Sequence, residues 1–213
     1  MSLSVWLMFI PAVFLLNMAP GPNNLLAVSN AARFGWQRAV IGGLGRVPAF
    51  TLLVGLTVVG LGAVLAASEH AFVVLKVAGA AYLIFLGIKI WRAPVTTLQP
   101  DSLAGSQTAG TQGALWPMAR REFVIAISNP KAILIFTAFF PQFLDRTQDS
   151  SPQLLLMGAT FLVLEVAALM IYAAGGAGAG KFLSSPRGQR LFNRGTGGAL
   201  VAAGTALAFS RQG

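Results

Sequence analysis

The stretch NMAPGPNNLL, residues 17–26, interrupts an apolar segment that begins near residue 3 and would otherwise continue as one helix. Its centre holds two prolines and a glycine, the residue types that helix interiors tolerate least. The interruption consists of Pro20, Gly21 and Pro22, and the amides around it are Asn17, Asn23 and Asn24. The stretch therefore predicts a helix that is broken inside an apolar region and surrounded by polar side chains.

The composition of the chain indicates that its solvent is lipid. Of its 213 residues 55% are hydrophobic and 10% are charged, whereas a soluble domain carries about 25% charged residues. The long apolar stretches lie near 3–28, 39–67, 71–91, 122–144, 153–179 and 195–210. Because a spanning helix needs about 20 apolar residues, we expect an all-α membrane protein with six transmembrane helices.

A polar segment, 93–117, separates the first three predicted helices from the last three. It is rich in Thr, Ser, Gln, Gly and Pro, and it predicts a flexible cytoplasmic linker inside one membrane domain that covers 1–213. An odd number of helices in each half permits a 3+3 inverted repeat, since the halves then enter the membrane from opposite faces. Prolines give both the first and the fourth predicted helix an early and a late break.

The formal charge of +9 is distributed unevenly along the chain. Basic residues follow the first, third and fifth predicted helices, and they are Arg33, Arg38, Lys89, Arg92, Arg120, Arg121, Lys181, Arg187, Arg190 and Arg194. Cytoplasmic connections carry such an excess, so we expect this side to be cytoplasmic and both termini to be external. The distribution explains the charge without nucleic acid, which we exclude as a partner.

Three ionisable residues lie inside predicted spanning helices, where such side chains are costly and indicate function. They are Arg46, Lys131 and Glu165. One interpretation is an Arg46–Glu165 or Lys131–Glu165 ion pair that only locks the bundle. The other interpretation is functional: two positive charges and one negative charge leave one positive charge unpaired. A substrate carboxylate would neutralise that charge. Glu165 would then bind the substrate ammonium or carry a proton.

A second break, SNPKA at residues 128–132, lies in the fourth predicted helix. The predicted topology puts both breaks in the cytoplasmic half of the membrane, at similar depth. Backbone groups freed by proline are tolerated there only where protein or a watery cavity satisfies them. Since both breaks carry amides, we favour a polar cavity over two proline kinks that neighbouring groups satisfy.

The sequence offers little for catalysis or for a cofactor. Cysteine is absent and His70 is the only histidine, so we expect no metal site, no cofactor and no enzymatic activity.

Four motifs together resemble the lysine exporter / homoserine–threonine resistance (LysE/RhtB) family of bacterial amino-acid exporters. The motifs are PGPN (20–23), VLKVAGAAYLIFLGIKIW (74–91), NPKA (129–132) and FPQF (140–143). The resemblance implies a secondary exporter in the bacterial inner membrane that is driven by the proton gradient. Its motif residues here are Pro20, Gly21, Pro22, Asn23, Asn129, Pro130 and Lys131. Arg46 departs from the family, which often has a neutral polar residue at that position.

We therefore predict a secondary transporter that exports an amino acid or a related small zwitterion, coupled to protons. The predicted substrate-binding residues are Asn17, Pro20, Gly21, Pro22, Asn23, Arg46, Asn129, Pro130, Lys131 and Glu165. Lys131 or Arg46 would hold the carboxylate, and Glu165 would hold the amine or couple protons. The alternatives are a channel-like facilitator and a non-transporting membrane assembly protein. The sequence is also compatible with a homo-oligomer.

Overall fold

The computed structural model describes residues 3–19, 21–67, 69–94, 115–145, 147–175 and 185–209, which are helical apart from short turns and contain no strand. The helices are α1 (Leu3–Met18), α2 (Pro22–Phe34), α3 (Trp36–Gly43), α4 (Arg46–Ala67), α5 (Glu69–Trp91), α6 (Leu115–Ile127), α7 (Pro130–Leu134), α8 (Ser150–Ala174) and α9 (Pro186–Phe209). A π-helical turn, Ile135–Phe139, and a 3-10 turn, Phe140–Phe143, continue α7.

The breaks predicted at PGPNN and SNPKA are present, whereas the early break predicted in the first helix was wrong, because α1 continues through Pro11. α1 ends at Met18 and α2 begins at Pro22, with a bend of 57° between them. α6 ends at Ile127 and α7 begins at Pro130, with a bend of 49° between the two helical segments. Proline at the first position of a helix costs nothing, because its missing N–H would have no intrahelical partner there.

By length and apolar composition, the described residues contain two to four candidate membrane spans. Trp36–Gly60 and Ser150–Ala174 are long and apolar enough alone, and the two bent pairs qualify if each pair is one span. The described part of α5 contributes a shorter apolar helix, Ala80–Trp91. The six spans and the inverted repeat therefore stay predictions.

The fourth predicted helix begins earlier than expected, at Leu115 instead of near residue 122. The last three residues of the predicted linker are therefore helical, and residues 95–114 lie outside the described residues. Pro117 does not prevent this early start because it lies in the first turn of α6. As a consequence, Glu122 lies within a helix and not at its end.

Phenylalanine rings form a continuous aromatic cluster between α1, α4, α8 and the π-helical and 3-10 turns. Its members are Phe9, Phe50, Phe136, Phe139, Phe140, Phe143 and Phe161. Neighbouring ring centroids lie 4.8 Å apart for Phe136–Phe161 and 5.1 Å apart for Phe9–Phe143. These spacings are those of favourable edge-to-face and tilted ring pairs, so the cluster is a close-packed core.

Glycines bring the turn between α3 and α4 very close to its neighbours. A side chain at Gly45 would collide with the backbone of Ala119 in α6, and one at Gly43 would meet Leu169 of α8 at 2.5 Å. Small residues permit this approach of helix backbones. The approach sets Arg46, the first residue of α4, directly beside α6 and α8.

Candidate functional site

A narrow cleft lies where the two breaks meet α4 and α8. Its lining residues are Gly21, Asn23, Asn24, Phe50, Asn129, Lys131, Ala132, Ile135, Phe161 and Glu165. The cleft is partly open, and it has room for only about one water molecule. Five of the sequence-predicted site residues, namely Gly21, Asn23, Asn129, Lys131 and Glu165, thus line one cleft.

Lys131 crosses from the second break to the first. Its ammonium Nζ donates to the carbonyl oxygens of Leu16 at 2.8 Å and of Ala19 at 3.0 Å. These carbonyls belong to the end of α1, where the last four C=O groups have no partner within the helix. A cation is also favourable there because the helix dipole is negative at its C-terminus. Contacts with the described residues use two of the three N–H groups of Lys131.

Asn24 and Tyr172 bond two further carbonyls at this end of α1, and Asn24 shares the Ala19 carbonyl with Lys131. The amide Nδ2 of Asn24 donates to Asn17 O at 2.7 Å and to Ala19 O at 3.1 Å. The hydroxyl of Tyr172 donates to Met18 O at 2.6 Å. Side chains from α2, α7 and α8 therefore satisfy the backbone that the first break leaves open.

Arg46 is fully buried, and all five of its guanidinium N–H groups are engaged. Nε and Nη2 donate to Glu122 Oε2 and Oε1, both at 3.1 Å, in a bidentate pair. Nη1 donates to Glu165 Oε1 at 3.0 Å and to Asn24 Oδ1 at 3.2 Å. Nη2 also donates to the Asn23 carbonyl at 2.7 Å.

Glu122 is the site residue that sequence reasoning missed. With it, the ionisable side chains that meet at the breaks among the described residues are two cations and two carboxylates, so the predicted surplus of one positive charge was wrong. A signal was present in the spacing of α6, because Met118, Glu122 and Ala126 follow one another at intervals of four and share its buried face. Its position next to two arginines instead suggested the membrane boundary.

Glu165 has one committed oxygen and one uncommitted oxygen. Oε1 accepts from Arg46, so the predicted Arg46–Glu165 ion pair is present. Among the described residues, no hydrogen bond reaches Oε2, and no carboxylate lies within 4.0 Å of the Lys131 ammonium. Lys131 and Glu165 thus line the same cleft, and each keeps hydrogen-bonding capacity.

Two asparagines join the breaks to each other and to Glu122. Asn129 caps α7 by accepting from Lys131 N at 3.0 Å, and its Nδ2 donates to Asn23 Oδ1 at 3.3 Å. Asn23 in turn donates from Nδ2 to Glu122 Oε2 at 2.8 Å. We refer to Asn23, Asn24, Arg46, Glu122, Asn129, Lys131 and Glu165 as the polar cluster.

The remaining predicted site residues have different positions. Pro22 and Pro130 are the first residues of α2 and α7, and Pro20 lies outside the described residues. Asn17 donates from Nδ2 to Phe161 O at 3.3 Å, while its buried Oδ1 has no partner among the described residues. Gly21 is extended, and a Cβ there would lie 3.5 Å from Lys131 Nζ.

Comparison with known proteins gives the chain a family. The family model described as "LysE type translocator" matches residues 14–211. An uncharacterized membrane protein of Vibrio cholerae is 32% identical over 99% of this chain and 100% of its own length. A homoserine/homoserine lactone efflux protein of Salmonella typhimurium is 29% identical over the full length of both chains.

A leucine efflux protein of Salmonella choleraesuis is 29% identical over 76% of this chain and 70% of its own length. No solved structure matches the chain. The family match covers nearly every described helix, including both breaks and the polar cluster between them. The chain therefore belongs to the LysE type translocator family.

Proposed function

We propose that the protein is a secondary transporter of the bacterial inner membrane that exports an amino acid or a related small zwitterion in exchange for protons. The observation that carries this proposal is that the Lys131 ammonium and Glu165, with its uncommitted oxygen, line the same cleft. One cation and one carboxylate with unused capacity match the carboxylate and the ammonium of an amino acid.

Of the two cations predicted to hold the carboxylate, the contacts favour Lys131. Arg46 has no guanidinium N–H left for a ligand, because its five donors are engaged by the protein. Among the described residues Lys131 has one N–H without a partner, and its other two bonds go to carbonyls at the end of α1 and just after it. The substrate ammonium would bind Glu165 Oε2.

The apolar part of the cleft suggests what the rest of the substrate is like. Phe50, Ile135 and Phe161 provide a hydrophobic wall beside the two charged groups. Such a wall suits an aliphatic side chain of modest size, and two relatives are named for homoserine or homoserine lactone efflux and for leucine efflux. We therefore infer that the substrate is an amino acid with a short or aliphatic side chain.

Proton coupling follows because the substrate ammonium and a proton compete for the Glu165 carboxylate. In its ionised form it binds the substrate ammonium, and in its protonated form it releases the ammonium. Exchange with protons from outside the cell would thus drive export. The cleft must widen to admit an amino acid, since it has room for only about one water molecule, and the breaks at Gly21 and Asn129 are natural hinges. The cleft would open to the cytoplasm, with both chain termini external.

Reconstituted vesicles test this function directly. Purified protein in liposomes loaded with radiolabelled homoserine or leucine should release the label faster when a pH gradient is imposed than without one. Liposomes that contain the label but no protein are the control. Release that is accelerated equally with and without the gradient would indicate a channel-like facilitator, and no acceleration for any of the twenty amino acids or homoserine would refute export.

A further inference from the structure

The two carboxylates that share Arg46 have unequal surroundings. Glu122 is fully buried, does not line the cleft, and uses both oxygens to accept from Arg46 and Asn23. Glu165 lines the cleft and receives one N–H from Arg46 on one oxygen. One carboxylate is therefore fixed in the protein, while the other faces the proposed path of the substrate.

The fixed position of Glu122 has a structural cause in the backbone. Gly45 packs directly on the backbone of Ala119 in α6, so the start of α4 lies in close contact with α6. Arg46 follows Gly45, and Glu122 lies about one helical turn after Ala119. Asn23 adds a second bond from its Nδ2, to the Glu122 carbonyl at 3.1 Å. Arg46 and Glu122 thus form one hydrogen-bonded unit that also holds α2.

We propose that Glu122 is a positioning residue of the transporter: as the fixed counter-ion of Arg46, it sets the pH at which Glu165 exchanges its proton. The proposal rests on the proposed proton exchange at Glu165. Arg46 carries one positive charge, and the bidentate pair with Glu122 neutralises it. Without that neutralisation the whole charge of the guanidinium would act on Glu165 and hold it in the ionised form.

The charged groups near Glu165 are few among the described residues. Arg46 of α4 and Lys131 of α7 act on it directly, and Glu122 of α6 acts across the shared guanidinium. On its own helix, the hydroxyl of Tyr172 is bonded to Met18 O. α1 carries no ionisable side chain, and the only ones of α2 and α3 are the exposed Arg33 and Arg38. Glu122 is thus the carboxylate that balances Arg46.

The test is the pH profile of export by reconstituted protein, measured for wild type, Glu122→Gln, Glu122→Asp, Arg46→Gln and the paired variant Arg46→Gln/Glu122→Gln. Glu122→Gln keeps the shape of the side chain but removes the charge. We expect its half-maximal pH to move to lower values by about one unit or more, because an unbalanced cation within about 4–6 Å favours an ionised carboxylate. Glu122→Asp should stay within about half a unit of wild type, since an unbalanced charge is what produces the shift of 1–3 units.

The paired variant removes one charge of each sign, and such replacements of buried pairs are often tolerated. With Arg46 gone, Glu165 loses its cationic hydrogen-bond donor, so the half-maximal pH should move above that of wild type. If Glu122→Gln does not reach the membrane, the paired variant is compared with Arg46→Gln, because these two differ only in the charge of Glu122, whose loss should lower the half-maximal pH of the paired variant relative to Arg46→Gln. A purely structural role of Glu122 would lower the amount of protein and leave the midpoint unchanged between wild type and Glu122→Gln, and between Arg46→Gln and the paired variant, which overturns the proposal. If the rate of wild-type export does not depend on the pH gradient, the proposed proton exchange is refuted, and the role proposed for Glu122 is refuted as well.

Discussion

α1 packs along the segment Pro130–Phe143, which consists of α7 and the π-helical and 3-10 turns that continue it. The two contact each other through aromatic rings at one end and through polar groups at the other. At the first end Phe9 packs against Phe140 and Phe143, with ring centroids 5.6 and 5.1 Å away. At the second end Lys131 bonds two carbonyls of α1. Packing tolerates small shifts in any direction, whereas each bond of the polar cluster needs one particular donor and acceptor. A rearrangement of the polar end would therefore require its groups to exchange hydrogen-bond partners. A ligand that offers a new donor or acceptor can drive such an exchange.

The largest effect should come from leaving the polar cluster with unbalanced charge. Arg46→Gln strands Glu122 and Glu165 as buried carboxylates, and we expect a loss of about 3–5 kcal/mol of stability. Thermal unfolding in detergent measures this loss. The paired variant Arg46→Gln/Glu122→Gln is the control, because it restores the balance and should recover most of the stability. Equal unfolding temperatures of the single and paired variants would mean that the buried Glu122 carboxylate does not need Arg46 as its counter-ion.

Removing the charge of Lys131 should abolish export and leave the fold largely intact. Lys131→Gln keeps N–H donors for the carbonyls of α1 but has no cation for a substrate carboxylate. We expect export to fall by about 100-fold or more, as when one partner of a buried charge pair is removed. The matched control is Lys89→Gln, since Lys89 is exposed on α5 and lies 6.0 Å from the Phe85 ring. Retained export by Lys131→Gln would remove this lysine from the substrate site.

The aromatic end should respond in the opposite way. Phe9 is fully buried and does not line the cleft, so Phe9→Ala should lower stability and leave the KM for substrate unchanged. We expect a loss of about 2 kcal/mol, smaller than the roughly 3–5 kcal/mol of water-soluble cores. The loss is smaller because the wild-type Phe9 ring leaves lipid, and not water, when it packs into the core. Its burial therefore contributes less to stability than burial in a water-soluble protein. Phe9→Leu, which fills more of the space, should lose less. A raised KM would show that the two ends are coupled.

The breaks and three of the four buried charges were predictable because they contradict their apolar surroundings. Proline, glycine and amides in a hydrophobic run, or Arg46, Lys131 and Glu165 in spanning segments, are anomalies that a single sequence displays. Their partners are not displayed in this way. Arg46 bonds carboxylates 76 and 119 residues away, and only the packing of helices decides that pairing.

Glu122 escaped prediction for a related reason. It stands beside Arg120 and Arg121, and a carboxylate next to two arginines normally lies at the membrane surface. Its burial depends on the close contact of Gly45 with Ala119, which no local pattern in α6 announces. Of the asparagines at the first break, Asn24 bonds backbone that the break leaves open, whereas Asn23 holds the carboxylate that was missed.

A single methyl group inside the cleft should give the smallest effect. Gly21 has an extended backbone that any residue can adopt, so Gly21→Ala should fold normally. Its Cβ would lie 3.5 Å from Lys131 Nζ, where it would shield the ammonium from a substrate carboxylate. We expect the KM to rise about threefold to tenfold, on the order of 1 kcal/mol.

Gly55→Ala is the matched control for this change, because a Cβ at Gly55 in α4 would meet no atom within 4 Å. That variant should leave the KM unchanged and stabilise the helix slightly, since alanine is the better helix former. If both alanine variants raised the KM equally, the effect at Gly21 would reflect general stiffening of the helices. A rise at Gly21 alone would mean that the space beside Lys131 belongs to the substrate, and that the polar end of the two broken helices is where binding occurs.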